Sequence, residues 1–188
     1  MLKRVWVLIA IAVPLAAQDR AIDVERSTIT IHVGKAGLLS AAGHEHWVNA
    51  PISSGVVNDS ASPRVEFLVE TAKMRVKPDP KVDAKTEATI QKDLEEMTLE
   101  TRKYPEIRFQ STRVEKAGEG WKVDGTISLH GVSKPVRVEV KREGDAYTGR
   151  TILRQTDFGI KPVSVGGGTI KVKNEIEIEF QIYTRRPI

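Results

Sequence analysis

Glu175-Ile176-Glu177-Ile178-Glu179-Phe180-Gln181-Ile182 is the stretch on which the fold turns. Apolar and polar residues alternate without a break, so the side chains divide between two faces, one greasy and one charged. Only a strand in a sheet with one dry and one wet side satisfies that pattern, and such sheets are antiparallel. The same period of two recurs upstream. Ile29, Ile31 and Val33 oppose Thr28, Thr30 and His32, and Val65, Phe67 and Val69 oppose Arg64, Glu66 and Leu68. Ile107, Phe109 and Ser111 follow, then Val123, Gly125, Ile127 and Leu129, then Val136, Val138 and Val140.

Turn chemistry separates these runs: Gly118-Glu119-Gly120, Gly131 to Pro135, and Glu143-Gly144-Asp145. Turns about every ten residues indicate an up-and-down barrel or sandwich. About eight strands are expected, near 28–34, 44–58 (bent or broken at Pro51), 64–71, 106–115, 120–129, 134–142, 146–155 and 171–184. The exception is 83–103. Asp83 is placed to cap a helix, Ile90, Leu94 and Met97 recur at helical spacing, and Tyr104-Pro105 ends it. Such a stripe usually packs on a core, here a barrel mouth.

Composition narrows the function. The chain has 188 residues, no cysteine and 5% aromatic residues. The length fits one domain. Missing cysteine excludes disulfide frameworks, thiolate nucleophiles and thiolate metal sites. Few aromatics argue against a stacking surface for single-stranded nucleic acid. At the start, Lys3 and Arg4 precede the apolar run Val5 to Val13, then Pro14, Leu15, Ala16 and Ala17. That is the pattern of a secretory signal peptide cleaved after Ala17. The run is shorter than the roughly 20 residues needed to span a bilayer, so an uncleaved anchor is the poorer reading. Losing Lys3 and Arg4 takes the 29 basic residues to 27 against 25 acidic ones, too little positive charge for a nucleic-acid partner. The mature chain is therefore expected to be exported.

Candidate chemistry is sparse. Gly43-His44-Glu45-His46-Trp47 places His44 and His46 on one side if the segment is a strand, and two imidazoles with His32 or a carboxylate would make a zinc or copper site. The spacing is not that of a catalytic zinc helix, and a hydrogen-bonded turn-to-strand cluster is the better reading, with a metal site or metal-dependent enzyme as the alternative. His130, in Leu129-His130-Gly131-Val132, reads as a hydrogen-bonding group at a turn. Ser133 and Ser164 lack the glycine-flanked elbow of hydrolases. Gly166-Gly167-Gly168 lacks the lysine and hydroxyl of a phosphate-binding loop. Asn58-Asp59-Ser60 matches a glycosylation sequon, a pattern frequent by chance. No pair of carboxylates stands out as an acid and base, so the sequence favours a binding protein over an enzyme and calls for no cofactor. An eight-stranded barrel is either filled by its own side chains, as in a structural or stress-response module, or holds one small or elongated ligand.

Four segments carry a resemblance: Ile22-Asp23 through Ile29-Thr30-Ile31, Tyr104 through Thr112, Gly125 through Val136, and Arg154-Gln155-Thr156-Asp157-Phe158-Gly159-Ile160. In this order the chain resembles the YceI-like family of periplasmic polyisoprenoid-binding proteins. Behind the signal peptide at 1–17, the resemblance covers one domain over 18–188 and implies an extended eight-stranded antiparallel lipocalin-like barrel with a helical insertion, located in the periplasm or secreted beyond it. It implies a long isoprenoid or fatty lipid threaded through an apolar tunnel. On that reading Ile29, Ile31, Val33, Phe67, Val69, Phe109, Ile127, Leu129, Ile178 and Phe180 line the tunnel. Ile90, Leu94 and Met97 cover one side, and Phe158 adds a contact while Asp157 caps its turn. A polar head group would sit at a mouth near His130, Arg150, Arg154 or Lys161. Pairing of two chains through barrel edges near the helix is compatible with this architecture, though the sequence carries no interface signature.

Overall fold

The computed structural model describes residues 19–36, 45–60, 62–165 and 170–185. The predicted signal peptide, His44 and Gly166 to Gly168 lie outside the described residues.

Every alternating run is a strand. In chain order the strands are β1 (Arg20–Ala21), β2 (Thr28–Ala36), β3 (His46–Asn49), β4 (Ile52–Asn58), β5 (Arg64–Glu70), β6 (Arg75–Val76), β7 (Glu106–Ala117), β8 (Gly120–Leu129), β9 (Val132–Glu143), β10 (Ala146–Arg154), β11 (Ser164–Val165) and β12 (Ile170–Tyr183). The architecture is all-β with a helical insertion, as the periodicity predicts. The strand count differs from eight for two reasons. The run expected over 44–58 is two strands, because Pro51 has no N–H for the ladder and the chain bends at Ala50-Pro51. β1, β6 and β11 are two-residue pairings too short to leave a periodic signal.

All neighbours pair antiparallel in the order β1-β4-β5-β7-β8-β9-β10-β12-β2-β3-β6, with β11 beside β12. β3 and β4 stand near opposite ends of that order yet are joined through Ala50-Pro51, and the Ala50 N–H donates to the Ile29 carbonyl at 2.9 Å. The sheet therefore curls until its ends meet. At one rim β1 completes the closure: Ile22 N–H donates to Gly55 O, and Asp23 N–H to Tyr183 O. The Ser27 hydroxyl, buried there, accepts from Tyr183 N–H at 3.0 Å.

The insertion departs from its predicted form. Asp83 caps α1 (Ala84–Asp93), accepting from the N–H groups of Lys85 and Thr86. The helix then widens into a π turn, Leu94–Thr98, closed by Leu99 N–H to Leu94 O. One extra residue per turn shifts the phase: Leu94 and Leu99 face the barrel, and Met97 is 69% exposed. The helix docks through polar side chains. Gln91 accepts from Val76 N–H and donates to Met74 O, satisfying the free edge beside β6. Among the described residues no helix is long and apolar enough to cross a membrane.

Candidate functional site: an apolar tunnel with one polar mouth

The inward faces enclose a cavity of about 200 Å³. Alternation supplies the lining strand by strand: Ile29, Ile31 and Val33 from β2, Phe67 and Val69 from β5, Ile107 and Phe109 from β7, and Ile176, Ile178, Phe180 and Ile182 from β12. The lining is apolar over nearly its whole surface. Two glycines shape it. A Cβ on Gly125 would stand 2.5 Å from the Phe109 ring, and one on Gly149 would stand 2.5 Å from the Phe180 ring. Both rings lie against bare backbone instead of standing into the cavity. Phe109 also stacks on Phe67, with centroids 5.3 Å apart.

One end is sealed. Phe158, Met74, Ile160 and Leu99 line it and are all buried. Phe158 arrives on a 3-10 turn, Gln155–Phe158, that is held to an irregularity in β12. Gln155 Nε2 donates to Lys173 O, the Asn174 side chain accepts from Thr156 N–H, and Gly159, at φ 72°, ends the turn. Asp157 is exposed and does not cap this turn; Asn174 takes that role because β12 brings it alongside. His130 and Gly131 are the two positive-φ residues of the β8–β9 hairpin. Both His130 ring nitrogens face acceptors, Nδ1 the Phe158 carbonyl at 3.2 Å and Nε2 the Glu100 carboxylate at 3.0 Å. The ring thus ties the hairpin to both segments that seal the tunnel.

The other end is open and charged. Asp59 and Arg64 line the cavity while 28% and 50% of their side chains remain exposed, so the tunnel reaches solvent there. Tyr147, buried at the start of β10, donates to Asp59 Oδ2 at 2.6 Å and accepts from Arg20. Arg20 lies 2.8 Å and Arg142 3.7 Å from the same carboxylate. Burial alone would raise the Asp59 pKa, but the Tyr147 hydrogen bond and the two guanidiniums outweigh it and hold it below its ordinary value. Burial, then the bond to Asp59, pushes the Tyr147 phenol up. Trp121 packs 5.7 Å from the Tyr147 ring, where the apolar wall ends.

Residues 21–184 match the model of the YceI-like domain. The chain belongs to the YceI-like family. A UPF0312 protein of Pseudomonas savastanoi pv. phaseolicola is 33% identical over 94 residues, 44% of this chain and 47% of the relative. One from Yersinia pestis is 46% identical over 46 residues, 24% of each chain. The chain thus spans less than half the length of these curated relatives. Two solved structures share the fold: a polyisoprenoid binding domain from Saccharophagus degradans implicated in plant cell wall breakdown (TM-score 0.58, 12% identity, 89% of this chain and 98% of that one) and Burkholderia cenocepacia BcnA (TM-score 0.57, 15% identity, 86% and 98%).

Within this YceI-like barrel, Leu94, Ile127, Leu129 and Phe158 join the strand residues named above on the cavity wall. Ile90 and Met97 are not on it: the π turn carries Met97 outward, and α1 docks beside β6 through the Gln91 side chain rather than through Ile90. None of the four expected head-group residues is at the mouth. Arg150 and Arg154 come from the outward face of β10 and pair with Glu177, Glu179 and Glu175 of β12. Lys161 is exposed beyond the sealed end, and His130 is part of the seal. His46 begins β3 on the side of Val48, whereas His32 is on the outer face, stacked 4.9 Å from Trp47 and bonded to Glu45. His32 and His46 therefore do not converge. The mouth residues Arg20, Asp59, Arg142 and Tyr147 went unread: they come from a two-residue strand, a turn and a hairpin base, and only the register joins them.

Proposed function

We propose that this protein is an exported carrier that holds one long-chain isoprenoid, or a similar amphipathic lipid, with its tail inside the barrel. The observation that carries this reading is an apolar cavity sealed at one end and open at the other. A barrel serving only as a structural module would fill that space with its own side chains. Membership of the YceI-like family and the shared fold of the Saccharophagus polyisoprenoid binding domain support it. The signal-peptide pattern of residues 1–17 supports export to the periplasm.

The lining explains how such a carrier works. Moving an alkyl tail from water into the tunnel contributes about 0.8 kcal/mol per methylene. A tail leaving a bilayer gains little of this, because it exchanges one apolar environment for another. Loading from a membrane is then close to balanced, and the tunnel spares the tail contact with water between membranes. On this reading the chain's own residues bind the tail and shield it from water.

Native mass spectrometry of protein purified without detergent tests the reading. The expected result is a stoichiometric adduct of several hundred daltons that extracts into organic solvent. A bare polypeptide mass that stays bare after incubation with farnesol or geranylgeraniol vesicles would overturn it.

A further inference from the structure

We infer that the mouth formed by Arg20, Asp59, Arg142 and Tyr147 is an anion subsite, which takes the phosphate or carboxylate head of the lipid whose tail fills the tunnel. This rests on the carrier reading above and adds a head-group class to it.

Charge is the first argument. Two guanidiniums, Arg20 at 2.8 Å and Arg142 at 3.7 Å, share the single Asp59 carboxylate, so within this cluster guanidiniums outnumber carboxylates two to one. The neighbouring Arg64 is already paired with Asp19 and lies 3.9 Å from Glu66. On the outer face, by contrast, arginines have their own carboxylates, as in Arg108–Glu106, Arg113–Glu115 and Arg137–Asp124.

Hydrogen-bonding capacity points the same way. Each guanidinium carries five N–H donors and no acceptor. Arg20 donates to Tyr147 and Asp59, and Arg142 to the Gly144 carbonyl at a long 3.3 Å. The mouth is rich in donors and poor in acceptors, a need that a planar carboxylate or a phosphate meets with two or more oxygens. Position completes the case. Both guanidiniums lie within 6 Å of the Tyr147 ring centroid, at 5.9 and 5.7 Å. Tyr147 and Asp59 themselves line the cavity. A tail running toward Phe158 therefore leaves its head beside these cations.

The test compares matched pairs that differ only at the head: geranylgeranyl monophosphate against geranylgeraniol, and palmitate against hexadecanol. Affinities are measured at low ionic strength by displacement of a polarity-sensitive dye. At least one acid is expected to bind about tenfold or more tightly than its alcohol. An advantage seen only for the phosphate, or only for palmitate, identifies the head. Arg142→Gln and Arg20→Gln should erase the advantage while alcohol affinity persists, which also reports that the barrel is folded. Asp59→Asn should enlarge it, by removing the competing carboxylate. Arg154→Gln, on the outer face, should change nothing. Equal affinities within both pairs would overturn the anion subsite and leave the carrier reading intact. Failure of all four probes to bind would overturn both.

Discussion

The two ends of the barrel solve opposite problems. At the sealed end, Phe158, Leu99, Met74 and Ile160 fill the lumen, and the polar groups behind them are matched: His130 to Phe158 O and Glu100, Gln155 to Lys173 O. At the mouth, two arginines share the Asp59 carboxylate, which itself lines the lumen. Sealing relies on apolar burial, which is indifferent to chemistry and sensitive to shape. The mouth relies on charge, which is indifferent to tail length and sensitive to head group. If the barrel carries a lipid as proposed, the sealed end measures the tail and the mouth selects the head, and each can be altered without the other.

The largest expected effect follows from emptying the seal. Phe158→Ala removes a ring that is 2% exposed, and a Phe→Ala cavity in a core costs about 3–5 kcal/mol. Urea denaturation should show that loss as a lower midpoint with an unchanged slope. If the variant still folds, the tunnel should lengthen toward the helix and accept longer tails, with no change in preference between acid and alcohol. A changed head-group preference would mean that the two ends are not independent.

A smaller effect is expected midway. Ile178 lines the cavity on β12, opposite Thr151 of β10 and Ile31 of β2. Ile178→Trp adds bulk inside the lumen, and overpacking costs about 1–3 kcal/mol. The folded variant should bind neither acid nor alcohol, because it blocks the path between the two ends. Lipid content equal to wild type in a folded Ile178→Trp protein would place the tail elsewhere.

What the sequence disclosed divides along the same line. The barrel, its inward faces and most of its lining were legible, because the period of two along one strand is a local property: Ile29, Phe109 and Phe180 stand where alternation assigns them. The cap at Asp83 was legible for the same reason. The helix face was misread at Met97 because a π turn adds a residue that no helical period anticipates. The arginines were misread because charge alone does not reveal a side: Arg150 and Arg154 share the parity of Ile152, outward, while Tyr147 shares that of Leu153, inward. The alternation applied to β2 and β12 extends to β10 and would have moved the head group away from Arg150 and Arg154. Arg20, Asp59 and Arg142 lay beyond any such rule, since 39 and 83 residues separate them along the chain.

The smallest effect is a pH dependence that separates the mouth from the rest of the surface. Asp59 is held below the ordinary value of 3.8 in the folded protein, so its contribution to stability is complete above that pH. It is lost as the pH falls through the depressed folded value, because the unfolded chain takes up the proton first. Asp124, hydrogen-bonded to Arg137 on the outer face, is lowered too and acts in the same direction. Asp59→Asn and Asp124→Asn should therefore each flatten the fall in unfolding free energy below about pH 4, Asp59→Asn by about 1 kcal/mol or less. Chemical denaturation at pH 7 and at successive steps below pH 4 measures both. The two variants should part company on ligand: Asp124→Asn leaves the preference between geranylgeranyl monophosphate and geranylgeraniol as it is, whereas Asp59→Asn shifts it toward the phosphate. The same shift in both would show that head-group selection reflects the net charge of the whole barrel. A shift confined to Asp59→Asn places the selection at the four residues around the opening.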